Sequence, residues 1–215
     1  MIGVELFVIT ADQIGSRSRE DLAGLARDEI NHRHGAELVL PADRNAGDEI
    51  QAITENAATA LAIVLELARG REWSVGLGCG TVRTPLPEAT REASGPAFFA
   101  ARDAVDQAKK SPTRFAARVQ GDADAGSSAA DTVEPLVDLL LILRERRSAA
   151  GWEVYDLLQA GISQREAAAR LGISAPSANA RVRVAGIRAE QAAVPALTKL
   201  LHELDRSRST GDATA

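Results

Sequence analysis

A single cysteine, Cys79, in 215 residues excludes an internal disulfide and a zinc site built on several thiolates. Aromatic residues make up only 3%, so the core has to be assembled mostly from aliphatic side chains and alanine. No uninterrupted apolar run approaches the roughly 18 residues that a membrane-spanning helix needs. The best candidates, Leu61 to Ala68 and Leu136 to Leu143, are short and contain Glu66 and Asp138. The segment from Met1 to Thr10 lacks the basic region that opens a signal peptide. These absences predict a cytoplasmic chain with no membrane partner.

What is present is ample apolar content, 45%, with 26% charged residues, enough for one large domain or two small ones. The net charge of −5 is unevenly spread. Residues 1–128 hold 14 Lys and Arg against 19 Asp and Glu, whereas residues 129–215 hold 11 of each. An acidic total does not exclude nucleic acid, because local charge meets the phosphates.

The first half alternates strand and helix patterns. Strands are predicted at Glu5–Ala11, Glu37–Ala42, Glu49–Thr54, Trp73–Thr84 and Arg114–Gln120. Helices are predicted from Ser18 to Gly35, over Thr54–Arg69 and over Ala97–Lys110. Pro41 favours an edge position for the second strand. Asn45 to Gly47 supplies a hairpin turn into the third. Gly76, Gly78 and Gly80 leave one face of the fourth bare, which lets another backbone or a ligand approach closely. The class is therefore α+β: a ferredoxin-like βαββαβαβ domain over residues 1–122. A small, polar linker follows at 123–131. Residues 132–205 read as an all-α domain, and 206–215 as a disordered tail.

Two acidic sites stand out. Asp12 follows strand 1, and Asp48 and Glu49 sit at the hairpin between strands 2 and 3. In a ferredoxin-like sheet these strands are adjacent, so Asp12, Asp48 and Glu49 are candidate ligands for Mg²⁺ or Mn²⁺ beside a nucleotide phosphate. Backbone amides of Gln13 to Ser16, before a helix, suit phosphate oxygens. Ser16 and Arg17 join the candidate nucleotide site.

These residues resemble known ones. The segment Thr10 to Ser16 resembles strand 1 of class III nucleotide cyclases, and Gly47-Asp48-Glu49 resembles both their second metal site and the GGDEF hairpin of diguanylate cyclases. Gly78 to Val82 is similar to the glycine strand that follows, and Gly95 to Arg102 to the cyclase helix ending in Ala-Ala-Arg. Their order looks most like the SatD family, which pairs a cyclase-like domain with a C-terminal helix-turn-helix. The resemblance implies a nucleotide-binding role for Arg102. Phe98 stands where cyclases place an asparagine one turn earlier, and the strand-2 lysine that helps read the purine has no counterpart. A degenerate domain that binds without turning over is expected; the alternative is an active nucleotide cyclase or related phosphoryl-transfer enzyme with a helical appendage.

The second half carries a denser pattern over residues 163–185. Ser163 and Glu166 form an S-x-x-E capping box. Gly172 sits where a tight turn needs φ > 0. Ser174 caps the next helix, with Pro176 in its first turn. This reads as a helix-turn-helix. Gln164, Arg165 and Ser174 are candidates for phosphate contacts, and Ser177, Asn179, Arg181 and Arg183 for the major-groove face. Between Ala175 and Arg188 there are three arginines and no acid. The helix Thr132–Arg147 has more apolar positions than one core face absorbs, which predicts a homodimer. The expectation is a sequence-specific regulator of double-stranded DNA.

Overall fold

The computed structural model describes residues 4–16, 18–45, 47–120 and 129–209. It is a mixed α+β chain that divides into two compact units, one of Met1–Asp138 with Leu197–Ala215 and one of Leu139–Ala196.

In the first unit the elements run β1 (Val4–Gln13), α1 (Ala23–His34), β2 (Leu38–Arg44), β3 (Glu49–Thr54), α2 (Ala57–Leu67), β4 (Trp73–Val82), α3 (Pro96–Ala108) and β5 (Phe115–Val119). The sheet order is β2-β3-β1-β4-β5. β1 lies antiparallel to both β3 and β4, and β5 runs parallel to β4. β2, with its exposed Pro41, is an edge strand, where a missing N–H is tolerated.

Strand periodicity sorts the core. Leu6 and Val8 of β1 and Ile53 of β3 pack with Ala97, Phe98 and Ala101 of α3. The alternate residues Phe7, Ile9 and Ala11, also buried, point to the opposite face. The bare face of β4 belongs to α3. A Cβ at Gly76 would fall against the Val105 amide and the Ala101 carbonyl, and one at Gly78 against the Ala97 carbonyl and the Ala101 amide. Cys79 is buried beside Phe7 in the register, as a small hydrophobe.

The first helix starts at Ala23 rather than Ser18. The cause is Gln13, a buried side chain whose amide nitrogen donates to the Glu20 carbonyl at 2.6 Å and whose oxygen accepts from the Leu22 amide at 2.9 Å. Those bonds hold the residues before Ala23 as a turn. Glu20 and Asp21 therefore precede the helix instead of filling its first turn.

α4 spans Ala129–Glu145, beginning inside the segment expected to be linker; residues 121–128 lie outside the described residues. Glu134 accepts from the Ala117 amide at 2.8 Å and from Arg118 at 3.0 Å, so α4 covers an outward N–H of β5. One turn on, Asp138 accepts from the Thr113 hydroxyl at 2.6 Å. Burial, partly offset by that bond and reinforced by Glu134, pushes the Asp138 carboxyl above its ordinary range. A raised carboxyl pKa means the folded state pays for ionisation, so the penalty is present at neutral pH and vanishes as pH falls below the unfolded value of about 4. Asp138→Asn keeps the acceptor and removes the charge. It should raise stability at pH 7 by less than about 1 kcal/mol, given solvent screening, and give no gain near pH 3. Thermal denaturation at both pH values checks this.

The second unit contains the end of α4 from Leu139, α5 (Ala149–Gln159), α6 (Gln164–Arg170), α7 (Ala175–Val184) and the first part of α8 (Ile187–Ser209). α8 starts at Ile187, directly after the turn at Gly186, with Pro195 inside it, and continues to Ser209 into the expected tail. Buried Ile187 and Glu190 anchor that start. Val154, Val182, Ala185 and Ile187 make the core, flanked by Tyr155, Leu158 and Leu171. Among the described residues no helix is long and apolar enough to cross a membrane.

Candidate functional sites

The first site lies at the carboxyl end of β1. An open groove of about 690 Å³ is lined by Asp12, Gln13, Gly15 and Ser16 from this strand and its loop, by Asp21, and by Arg44, Gly47 and Asp48 of the hairpin. Gly15 and Gly47 both take φ near +70°, which lets each turn close without a Cβ clash. The Gln13 amide donates to the Asp48 carbonyl at 3.3 Å, tying loop and hairpin together.

Asp12 and Glu49 are directly opposed in the β1–β3 register. Like charges so placed destabilise a sheet unless something offsets them. Here α3 does. Lys109 Nζ lies 3.3 Å from Asp12, and Arg102 lies 3.4 Å from Glu49. Burial alone would lower the Lys109 pKa, but the charges of Asp12 and Asp106 outweigh it and hold the ammonium above its ordinary value. Glu49 also accepts from Asn45 at 2.7 Å and from Gln51 at 3.2 Å. Also on the groove, Asp21 pairs with Arg44 at 2.7 Å; that bond first, and the Ala23 amide second, hold its carboxyl below the usual range.

The structure thus sets Asp12 and Asp48 on the groove, while Glu49 turns to Arg102 and to the hairpin amides. Ser16 lines the groove, and Arg17 lies outside the described residues. Among the described residues no group of three or more His, Cys, Asp or Glu side chains is set to hold a metal ion. Two carboxylates on one groove still match Mg²⁺ or Mn²⁺, which takes one or two from protein and completes its shell with water and phosphate. Phe98 is packed with Leu6 and Val8 and presents no polar group. The partners Lys109 and Arg44 were not singled out from sequence: Lys109 lies 97 residues from Asp12.

The second site is the exposed side of α6 and α7. Each helix carries its own stop and start signals. The Ser163 hydroxyl accepts from the Glu166 amide at 3.3 Å, while the Glu166 carboxylate accepts from the Ser163 amide at 3.1 Å. The hydroxyl and amide bonds to Ser163 hold Glu166 below the ordinary carboxylate range. Gly172 turns the chain at φ +62°, and Ser174 caps α7 by accepting from Ser177 at 3.3 Å. Ala178 and Val182, four residues apart, are buried. That leaves Arg165, Ser174, Ser177, Asn179 and Arg183 exposed, with Gln164 and Arg181 half-buried. Arg181 is engaged within the unit, 3.1 Å from Glu153 of α5. Trp152 and Tyr155 of α5 stack against two arginines, Arg144 and Arg147.

No protein-family model matches this chain, and no curated protein matches it. Among solved structures it is similar to a regulator of polyketide synthase expression from Bifidobacterium adolescentis, with a TM-score of 0.29 and 12% identity, over 97% of this chain and 82% of that one.

Proposed function

We propose that this chain is a sequence-specific DNA-binding regulator whose α6–α7 pair is a helix-turn-helix, with α7 as the recognition helix in the major groove. One observation carries the reading. Two short helices, each capped by its own serine and joined through a left-handed glycine, bury one alanine–valine stripe and leave Arg165, Asn179 and Arg183 in solvent. Arginine suits guanine O6 and N7, and asparagine suits adenine N6 and N7. Arg165 opens α6, where phosphates are held in such motifs.

Leu136, Leu139 and Ile142 of α4 are 39%, 64% and 38% exposed, an apolar stripe on which a second copy can pair and set two recognition helices roughly 34 Å apart. The sheet unit is read as a degenerate, ferredoxin-like cyclase domain, and the whole chain as SatD-like. The test is binding of the full chain to labelled duplex DNA across a salt series. Binding that weakens with salt, with a slope made shallower by Arg165→Ala, supports the reading. No binding to any duplex overturns it.

The groove favours a second role beside this one. Asp12 and Asp48 would hold Mg²⁺ or Mn²⁺, with the Ser16 loop toward a nucleotide phosphate. The cation would neutralise the phosphate charge. Ligand at about 100 times its Kd adds roughly 2.7 kcal/mol. Mn²⁺ plus nucleoside triphosphate should therefore raise the Tm, and Asp12→Ala and Asp48→Ala should each abolish the rise. With Phe98 in the core, no cyclised product is expected; steady turnover would favour the enzyme instead. An unchanged Tm in the unmutated protein contradicts the groove proposal.

A further inference from the structure

An ionic cluster lies inside the helical unit. Arg144 of α4, Arg147 in the turn after it and Glu190 of α8 are 5%, 5% and 2% exposed. One oxygen of Glu190 accepts from Arg144 and, at 3.1 Å, from the Tyr155 hydroxyl; the other accepts from Arg147. The guanidinium carbons stand 4.4–4.9 Å from the Trp152 ring centroid and 4.5–5.3 Å from that of Tyr155. The two rings meet edge to face at 5.2 Å. Three segments of chain, the end of α4 with its turn, α5 and α8, are therefore joined at one carboxylate.

Arg147 has a further partner. It comes from α7. Arg147 Nε donates to the Ala185 carbonyl at 3.0 Å, and Ala185 is the residue that closes α7. The carbonyl end of a helix carries the negative end of its dipole, where a cation is favoured. Gly186 then takes φ +65°, and the space of its missing Cβ is occupied by Leu143. The end of the recognition helix is fixed by a directional bond on one side and by a left-handed turn on the other.

Stability alone does not account for such a cluster. Desolvating three charges costs several kcal/mol per ion, and apolar replacements of similar volume are often neutral or stabilising. The stripe Ala178–Val182 packs α7 down, but small apolar contacts leave a helix free to rotate and slide. The bond from Arg147 Nε to the Ala185 carbonyl, with Arg147 itself held by buried Glu190, restrains both motions.

We infer that Arg147 and Glu190 are positioning residues for α7, setting the angle at which Asn179 and Arg183 are presented and so governing discrimination between DNA sequences. This rests on the DNA-binding reading above. Arg147→Lys keeps a cation in the cluster and removes the Nε–H that reaches Ala185. It should lower the ratio of specific to random-duplex affinity at least tenfold, leave random-duplex affinity and its salt slope unchanged, and keep a cooperative unfolding transition. The orientation of α7 relative to α5, measured without DNA by residual dipolar couplings, should change in the same variant. A folded Arg147→Lys protein with the original ratio and the original α7 orientation overturns the inference. If Arg147→Lys does not fold, the combined Arg144→Met, Arg147→Leu, Glu190→Leu variant decides: folded with its ratio lost supports the inference, folded with its ratio intact overturns it. Failure of both variants to fold also overturns it, since the cluster would then hold the fold rather than aim a helix. Absence of DNA binding in the unmutated chain sinks the DNA reading, and the α7 orientation still tests the positioning role.

Discussion

Gly78→Val is expected to unfold the sheet unit at 25 °C, and Gly78→Ala to destabilise it by more than about 3 kcal/mol. Overpacking a core usually costs about 1–3 kcal/mol because side chains can shift. Here the added Cβ meets the Ala97 carbonyl and the Ala101 amide of α3, which are backbone and cannot rotate away. α3 would have to lift from β4, uncovering Val8 and Leu6 beneath it. A loss of that size is a large share of the roughly 5–15 kcal/mol that holds a domain. Gly24 in α1 provides the control, since nothing lies within 4 Å of its Cβ position; Gly24→Ala should be neutral or stabilise by up to about 1 kcal/mol. Urea unfolding followed by circular dichroism measures both. A Gly78→Ala midpoint equal to that of the unmutated protein would contradict the close approach of α3.

The second large effect concerns recognition. Asn179→Ala and Arg183→Ala should each lower affinity for a preferred site by about 1–3 kcal/mol and relax one base preference. The two side chains are four residues apart on one exposed face of α7, and both leave the Ala178–Val182 core untouched. Arg181→Ala should have a smaller effect on base preference, because Glu153 already holds that guanidinium at 3.1 Å. Competition binding with single-base variants of the preferred site separates these outcomes. A uniform loss across all sequences would place Asn179 and Arg183 on phosphates rather than bases.

Local signals were legible in the sequence and long-range ones were not. The glycines of β4 announced a close approach because a missing side chain is visible from the residue alone. The caps at Ser163 and Ser174 were legible because each bond spans three residues. The start of α1 was misplaced because its determinant, Gln13, acts on Leu22 from nine residues away. The charges on Asp12 and Glu49 were visible, but not their pairing with Lys109 and Arg102. Nothing local marks Arg144 and Arg147 as buried; their carboxylate is 46 and 43 residues distant. A buried ionic cluster has no periodic signature, since its members need only meet in space.

The most direct test of the central claim is genome-wide mapping of the DNA sites bound by the full chain, with the Asn179→Ala, Arg183→Ala double variant run in parallel. The account predicts a shared sequence element, present as paired half-sites about one helical turn apart, that is enriched with the unmutated protein and lost with the variant. Even coverage without an enriched element, or enrichment that survives the double substitution, would contradict it.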